Sequence, residues 1–150
     1  MPEILTRPVT ASDLPDVCDM AHALAAHHGD HATLTLADLD RDMLGQSPWL
    51  RCLVAEHAGI LVGYAALVPL AQLQFGVRGM DLHHLFVRPE VRGQGVGGLL
   101  IDASIAEARA QGCRYLTVGT DPKNAVAQQV YRAAGFDDLP PPGPRFRLKW

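Results

Sequence analysis

The chain has 150 residues, 48 % of them hydrophobic and 19 % charged, with a formal charge of −3. These figures suit a single domain, 1–150, with its own core and no need of disulfides or metal. The negative balance and the lack of any Lys/Arg cluster argue against a surface for tracking nucleic acid. The longest apolar run, Ile60 to Leu70, is broken by Gly63 and Pro69, so no membrane span is expected. Cys18, Cys52 and Cys113 are odd in number and form no Cys-x-x-Cys pair, which predicts reduced thiols rather than a disulfide framework or zinc ribbon. The opening Met1-Pro2-Glu3-Ile4 has no basic segment followed by an apolar stretch and a cleavage site, and a cytoplasmic location is expected.

In chain order, Ile4 to Val9 reads as a strand. Ser12 is a helix N-cap candidate, and Leu14, Val17, Ala21, Leu24 and Ala25 recur at helical spacing, predicting a helix from Asp13 to His27. After the loop His28-Gly29-Asp30-His31, Thr35 caps a short helix Leu36 to Leu44, ended by Gly45. Arg51–Glu56 and Ile60–Val68 form a hairpin around His57-Ala58-Gly59, with glycine where φ is positive. Met80–Val87 is a further strand closed by Pro89. Val96–Gln111 is a helix with Gly112 just past its end, Tyr115–Thr120 a strand, and Asn124–Ala134 a helix ended by Gly135. Pro140-Pro141-Pro142-Gly143-Pro144 is a stiff connector to a last strand, Phe146–Trp150.

The segment Arg92 to Gly98 holds Gly93, Gly95, Gly97 and Gly98 between a strand and a helix. Glycines let a ligand approach the backbone, and the unpaired N–H groups of a helix start favour an anion, with Arg92 adding charge. The same glycines could instead serve a tight turn and close helix-to-sheet packing. Gly93-x-Gly95-x-x-Gly98, with Asp121 after the next strand, also fits a dinucleotide fingerprint. Against that reading, Arg88 to Arg92 separate the strand from the turn, and only 52 residues follow Gly98. No Lys-Ser or Lys-Thr follows the glycines, so a Walker loop is excluded.

Arg92-Gly93-Gln94-Gly95-Val96-Gly97 resembles the cofactor motif of the GNAT superfamily of N-acetyltransferases: Arg or Gln, two residues, Gly, one residue, Gly or Ala. Asn124 after a strand and Tyr131-Arg132-Ala133-Ala134-Gly135-Phe136, similar to the family's Tyr-x-x-x-Gly-Phe, fall at matching distances. Leu36-Ala37-Asp38-Leu39 before Arg51-Cys52-Leu53-Val54-Ala55-Glu56 is similar to the diamine acetyltransferase branch. That branch has an acidic pair where this chain has His83 and His84. The resemblance implies an α/β (α+β) fold, a mixed, mostly antiparallel twisted sheet of about seven strands flanked by about four helices. It also implies acetyl-CoA as cosubstrate, no metal, a small-molecule amine as acceptor, and the family's common habit of forming a homodimer.

The resemblance further assigns cofactor contacts to Leu85, Phe86 and Val87, to Arg92, Gly93, Gln94, Gly95, Val96, Gly97 and Gly98, and to Asn124 and Tyr131. His83 stands where the family carries its general base, four residues before Val87. An imidazole suits proton uptake at neutral pH, the other reading being a polar residue that lines the acceptor cleft. Strand alternation puts His84 on the opposite sheet face. Tyr131 is the candidate general acid for the departing thiolate, or else a helix residue packed on the sheet. Asn124 bonds the pantetheine arm or orders its helix end. His27, His28, Asp30 and His31 invite a metal reading but lack a known ligand spacing. Two other classes stay open: an acyl-CoA sensor without turnover, and a dinucleotide-dependent oxidoreductase.

Overall fold

The structure is a computed structural model and describes residues 3–150. The chain falls into two compact units, Met1–Gly119 and Thr120–Trp150.

The first unit contains β1 (Ile4–Pro8), α1 (Leu14–His27), α2 (Leu36–Leu39), β2 (Arg51–His57), β3 (Ile60–Gln72), β4 (Val77–Val87), α3 (Val96–Ala110) and β5 (Tyr115–Val118). The strands form one sheet in the order β1-β2-β3-β4-β5, antiparallel throughout except for the parallel β4–β5 pair that α3 connects. One sheet face carries α1 and α2. There Val17, Met20, Leu39 and Met43 join Cys52, Val54, Tyr64, Ala66 and Phe86 in a buried cluster. Alternation sends Leu53, Ala55, Ala65 and Leu67, all buried, to the opposite face, which α3 covers with Val96, Leu100, Ile101 and Ala108. Each large apolar side chain so buried is worth about 1.5–3 kcal/mol.

Local chemistry sets the boundaries. Thr10, rather than Ser12, caps the first helical turn: Asp13 Oδ2 accepts from the Thr10 N–H at 2.8 Å and from Thr10 Oγ1 at 3.0 Å. Asp13 is fixed there by Arg7, whose two terminal nitrogens lie 2.7 and 3.0 Å from its carboxylate. Asp40–Leu44 continues α2 as one π-helical stretch. The β2–β3 loop is Ala58-Gly59, with φ of 52° and 80°, the positive pair that a two-residue hairpin requires. α3 ends in a Schellman cap, Cys113 N–H donating to Ala108 O and Gly112 N–H to Arg109 O.

The second unit contains α4 (Ala125–Ala133) and an irregular segment after it. The sheet therefore has five strands among the described residues, not about seven, and the expected strand Phe146–Trp150 is absent. Phe146, Leu148 and Trp150 alternate as a strand would, yet all three are exposed. The four prolines just before them supply no N–H groups to start a ladder.

Candidate active site

β4 is the centre of the candidate site in the first unit. It pairs with β5 only from Gly79 to Leu82, so from His83 to Val87 the edge that would face β5 has no strand partner among the described residues. Which backbone groups occupy that edge follows from one hydrogen bond: Arg88 N–H donates to Val62 O at 2.8 Å. Antiparallel ladders alternate, so Arg88, Phe86 and His84 point their backbone groups at β3. Leu85 and Val87 then point theirs into the open edge. The carbonyl of Val87 confirms this phase, since it accepts from Arg92 Nε at 2.9 Å. Phe86 has its ring in the core, 5.8 Å beneath the Arg92 guanidinium. It supports Arg92 rather than offering a free N–H.

Beyond β4, Gly93 and Gly95 have φ of 81° and 86°, and Gly95 is the N-cap of α3 without any side-chain cap bond. A Cβ at Gly93, Gly95 or Gly98 would meet no atom within 4 Å, and one at Gly97 only Val87 Cγ2 at 3.9 Å. Helix-to-sheet packing therefore does not require these glycines. At Gly97 and Gly98, in the first turn of α3, no close contact among the described residues compensates the helix cost of roughly 0.5–1 kcal/mol each. What the turn provides is a bare backbone approach to the N–H groups of Val96, Gly97 and Gly98, with the positive helix end behind them. Arg92 lies beside it, exposed, without a carboxylate partner among the described residues. Gln94 is exposed on the same turn, and Val96 turns its side chain into the core. These residues fit a pyrophosphate-bearing ligand.

His83 and His84 are arranged differently from the alternation expected. Ala66 pairs with His84 and Leu67 with Leu82, so His83 is the extra residue of a β-bulge, and a bulge brings two consecutive side chains to one side. Their rings stack with centroids 4.5 Å apart and planes 13° from parallel. His84 is half-buried, with Nδ1 3.0 Å from the hydroxyl of buried Tyr64. Burial, then the neighbouring charges of His83 and His28, lower the His84 ring to about 4, so it is neutral at pH 7. Burial raises the Tyr64 phenol well above its usual range. Neither Tyr64 nor the bulge was legible in the sequence. The His-His pair opposite a strand tyrosine was the one available signal.

In the second unit Asn124 is the N-cap of α4, its Oδ1 accepting from Ala127 N–H at 3.0 Å. Tyr131 lies seven residues on, about two turns along α4. Its phenol is raised by burial. Phe136 N–H donates to Tyr131 O and Gly135 N–H to Arg132 O, both at 3.0 Å, with Gly135 at φ 99° and the Tyr131 and Phe136 rings edge to face at 5.9 Å. The Tyr-x-x-x-Gly-Phe segment is thus a complete Schellman cap with its hydrophobic contact. Asp121, the acid of the dinucleotide reading, accepts from the Lys123 N–H. Among the described residues no three metal-ligating side chains converge. His27 and His28 meet edge to face at the end of α1.

The sequence profile of the acetyltransferase (GNAT) family matches residues 19–136. The chain belongs to this family. It is 28 % identical over 149 residues to a thialysine N-epsilon-acetyltransferase of Sus scrofa, covering 93 % of this chain and 87 % of that one. It is 34 % identical over 116 residues to a mycothiol acetyltransferase of Thermobispora bispora, covering 74 % of this chain and 38 % of that one. Among solved structures, an aminoglycoside acetyltransferase from an uncultured soil metagenomic sample, in complex with sisomicin, superposes with a TM-score of 0.81 at 18 % identity, covering 97 % of each chain. That likeness shows the GNAT fold. A sheet with one parallel pair is not the doubly wound sheet of a dinucleotide enzyme.

Proposed function

We propose that this GNAT acyltransferase moves the acetyl group of acetyl-CoA to a primary amine of a small molecule by direct attack in a ternary complex. The observation that carries the reading is the open β4 edge running straight into a glycine turn that protein packing does not explain. Relatives named for acetylating thialysine support an amine acceptor, and the family profile spans residues of both units, which supports one acetyltransferase domain over 1–150.

Acetyl-CoA, when bound, supplies an acetyl group activated as a thioester. The N–H groups of Val96, Gly97 and Gly98, with Arg92, hold the pyrophosphate. The backbone of Leu85 and Val87 binds the pantetheine arm, and the Val87 N–H stabilises negative charge that develops on the carbonyl oxygen. His83 takes the ammonium proton of the acceptor and passes it to solvent, so that a neutral amine forms the C–N bond; it then takes the second proton from the bonded nitrogen as the C–S bond breaks, leaving a neutral amide. Tyr131 gives its proton to the sulfur and regains one from solvent. Tyr131 is assigned on the motif it completes. Asn124 has its Oδ1 engaged in the α4 cap, which favours a role in ordering that helix end.

The lack of a carboxylate at residues 83 and 84 favours a second reading, an acyl-CoA sensor without turnover. A panel of primary amines, assayed by free-thiol release, separates the two. Turnover on an amine, lowered about a hundredfold or more by Tyr131→Phe, supports the enzyme. Acetyl-CoA binding with no thiol release on any amine supports the sensor.

A further inference from the structure

The proposed reaction, on which this inference rests, needs an exposed imidazole held in one orientation on a bulge, a place where a side chain is otherwise free to turn. Three observations bear on how His83 is held. The His84 ring lies parallel to it at 4.5 Å. His84 is itself tied through Nδ1 to Tyr64, 3.0 Å away. Tyr64 is 1 % exposed, buried in the core beside Phe86, with ring centroids 6.2 Å apart.

Proton accounting fixes the direction of the tie. Among the described residues His84 Nδ1 is the one partner of the Tyr64 hydroxyl, and a buried phenol proton left without an acceptor is costly. Tyr64 therefore donates, Nδ1 accepts, and His84 is the Nε2–H tautomer. In that form it has no second lone pair with which to act as a base. The groups that face it are Tyr64 from β3, His83 beside it on β4, and His28 just past α1.

We propose that His84 is a positioning residue: anchored by Tyr64 in the core, its ring is the flat surface that stacks His83 into the orientation from which it takes the proton of the acceptor amine. A stack of this kind biases side-chain orientation by up to about tenfold, and a misplaced catalytic group loses rate by as much as a hundredfold. Among the described residues the one other duty of His84 is to satisfy the Tyr64 hydroxyl, and the two duties respond oppositely to substitution.

The test compares His84→Phe, which keeps a flat ring but accepts no hydrogen bond, with His84→Gln, which accepts the Tyr64 proton but offers no ring. Stacking predicts that H84F, whose ring is kept but held by packing alone once the Tyr64 bond is gone, loses clearly less kcat than H84Q, which loses about tenfold or more, with the affinity for acetyl-CoA held in both. Full kcat in H84Q would overturn the proposal, as would equal losses in H84F and H84Q with both proteins folded. Imidazole 15N spectra of the protein free of ligands give an independent readout. His84 is expected as the Nε2–H tautomer, and the His83 ring signals are expected to shift in H84Q more than in H84F. An Nδ1–H tautomer would overturn the anchoring. His83→Ala isolates the reading beneath: unimpaired kcat there would remove His83 as base and with it the role of His84, whereas impaired H83A beside unimpaired H84Q would remove the positioning role alone.

Discussion

Arg92 is exposed yet fixed at one end, because Nε is spent on the Val87 carbonyl and the guanidinium lies over the Phe86 ring. Its terminal nitrogens remain for an anion. Arg92→Ala is expected to weaken acetyl-CoA binding about tenfold while costing the fold only about 0.5–1 kcal/mol, as checked by calorimetric titration and urea unfolding. At this scale the sequence was uneven. Arg92 and the glycines were legible because a strand, a glycine cluster and a helix start have few other uses. His84 was not, since alternation alone sends it across the sheet, and one unpaired residue in β4 reverses that. Tyr64 reads simply as a strand aromatic until its hydroxyl is seen to reach His84.

Among the elements, the β2–β3 hairpin makes the sharpest stability prediction. Its length and Gly59 were apparent from the turn residues, but Ala58 also adopts φ 52°, where a Cβ is strained. Ala58→Gly should raise unfolding stability by about 1 kcal/mol, measured by chemical denaturation. Conversely, Gly135→Ala, at φ 99° in the α4 cap, should cost about 1–2 kcal/mol and lower the melting temperature. Helices were legible to within a residue or two because their caps are chemical signals. The expected strand at Phe146–Trp150 was misjudged because alternation states that a segment can pair, whereas a strand exists only beside a partner with free backbone groups.

For the molecule as a whole, acid stability should fall in two windows. The folded-state value of His84 is lowered from 6.5 to about 4, so its contribution is complete above pH 6.5 and lost as pH falls toward 4. Asp13, bonded first by Arg7 and then by Thr10, is lowered from 3.8 to about 2. Its contribution, about 2 kcal/mol, is complete above pH 3.8 and lost toward pH 2. Denaturation curves between pH 7 and 2 should lose the upper slope in H84F and the lower one in Asp13→Asn. If the N-terminus of α3 serves the cosubstrate as proposed, Gly98→Asp should impair that service without harming the fold. Residue 98 has open space around its Cβ, and a carboxylate in the first turn of a helix is stabilising. Isothermal titration with acetyl-CoA, run beside thermal unfolding, should show wild-type binding that G98D weakens about tenfold or more, with a melting temperature unchanged or raised. A folded wild-type protein that takes up no acetyl-CoA, or a G98D protein that binds it equally well, would rule out a cosubstrate site at this helix end.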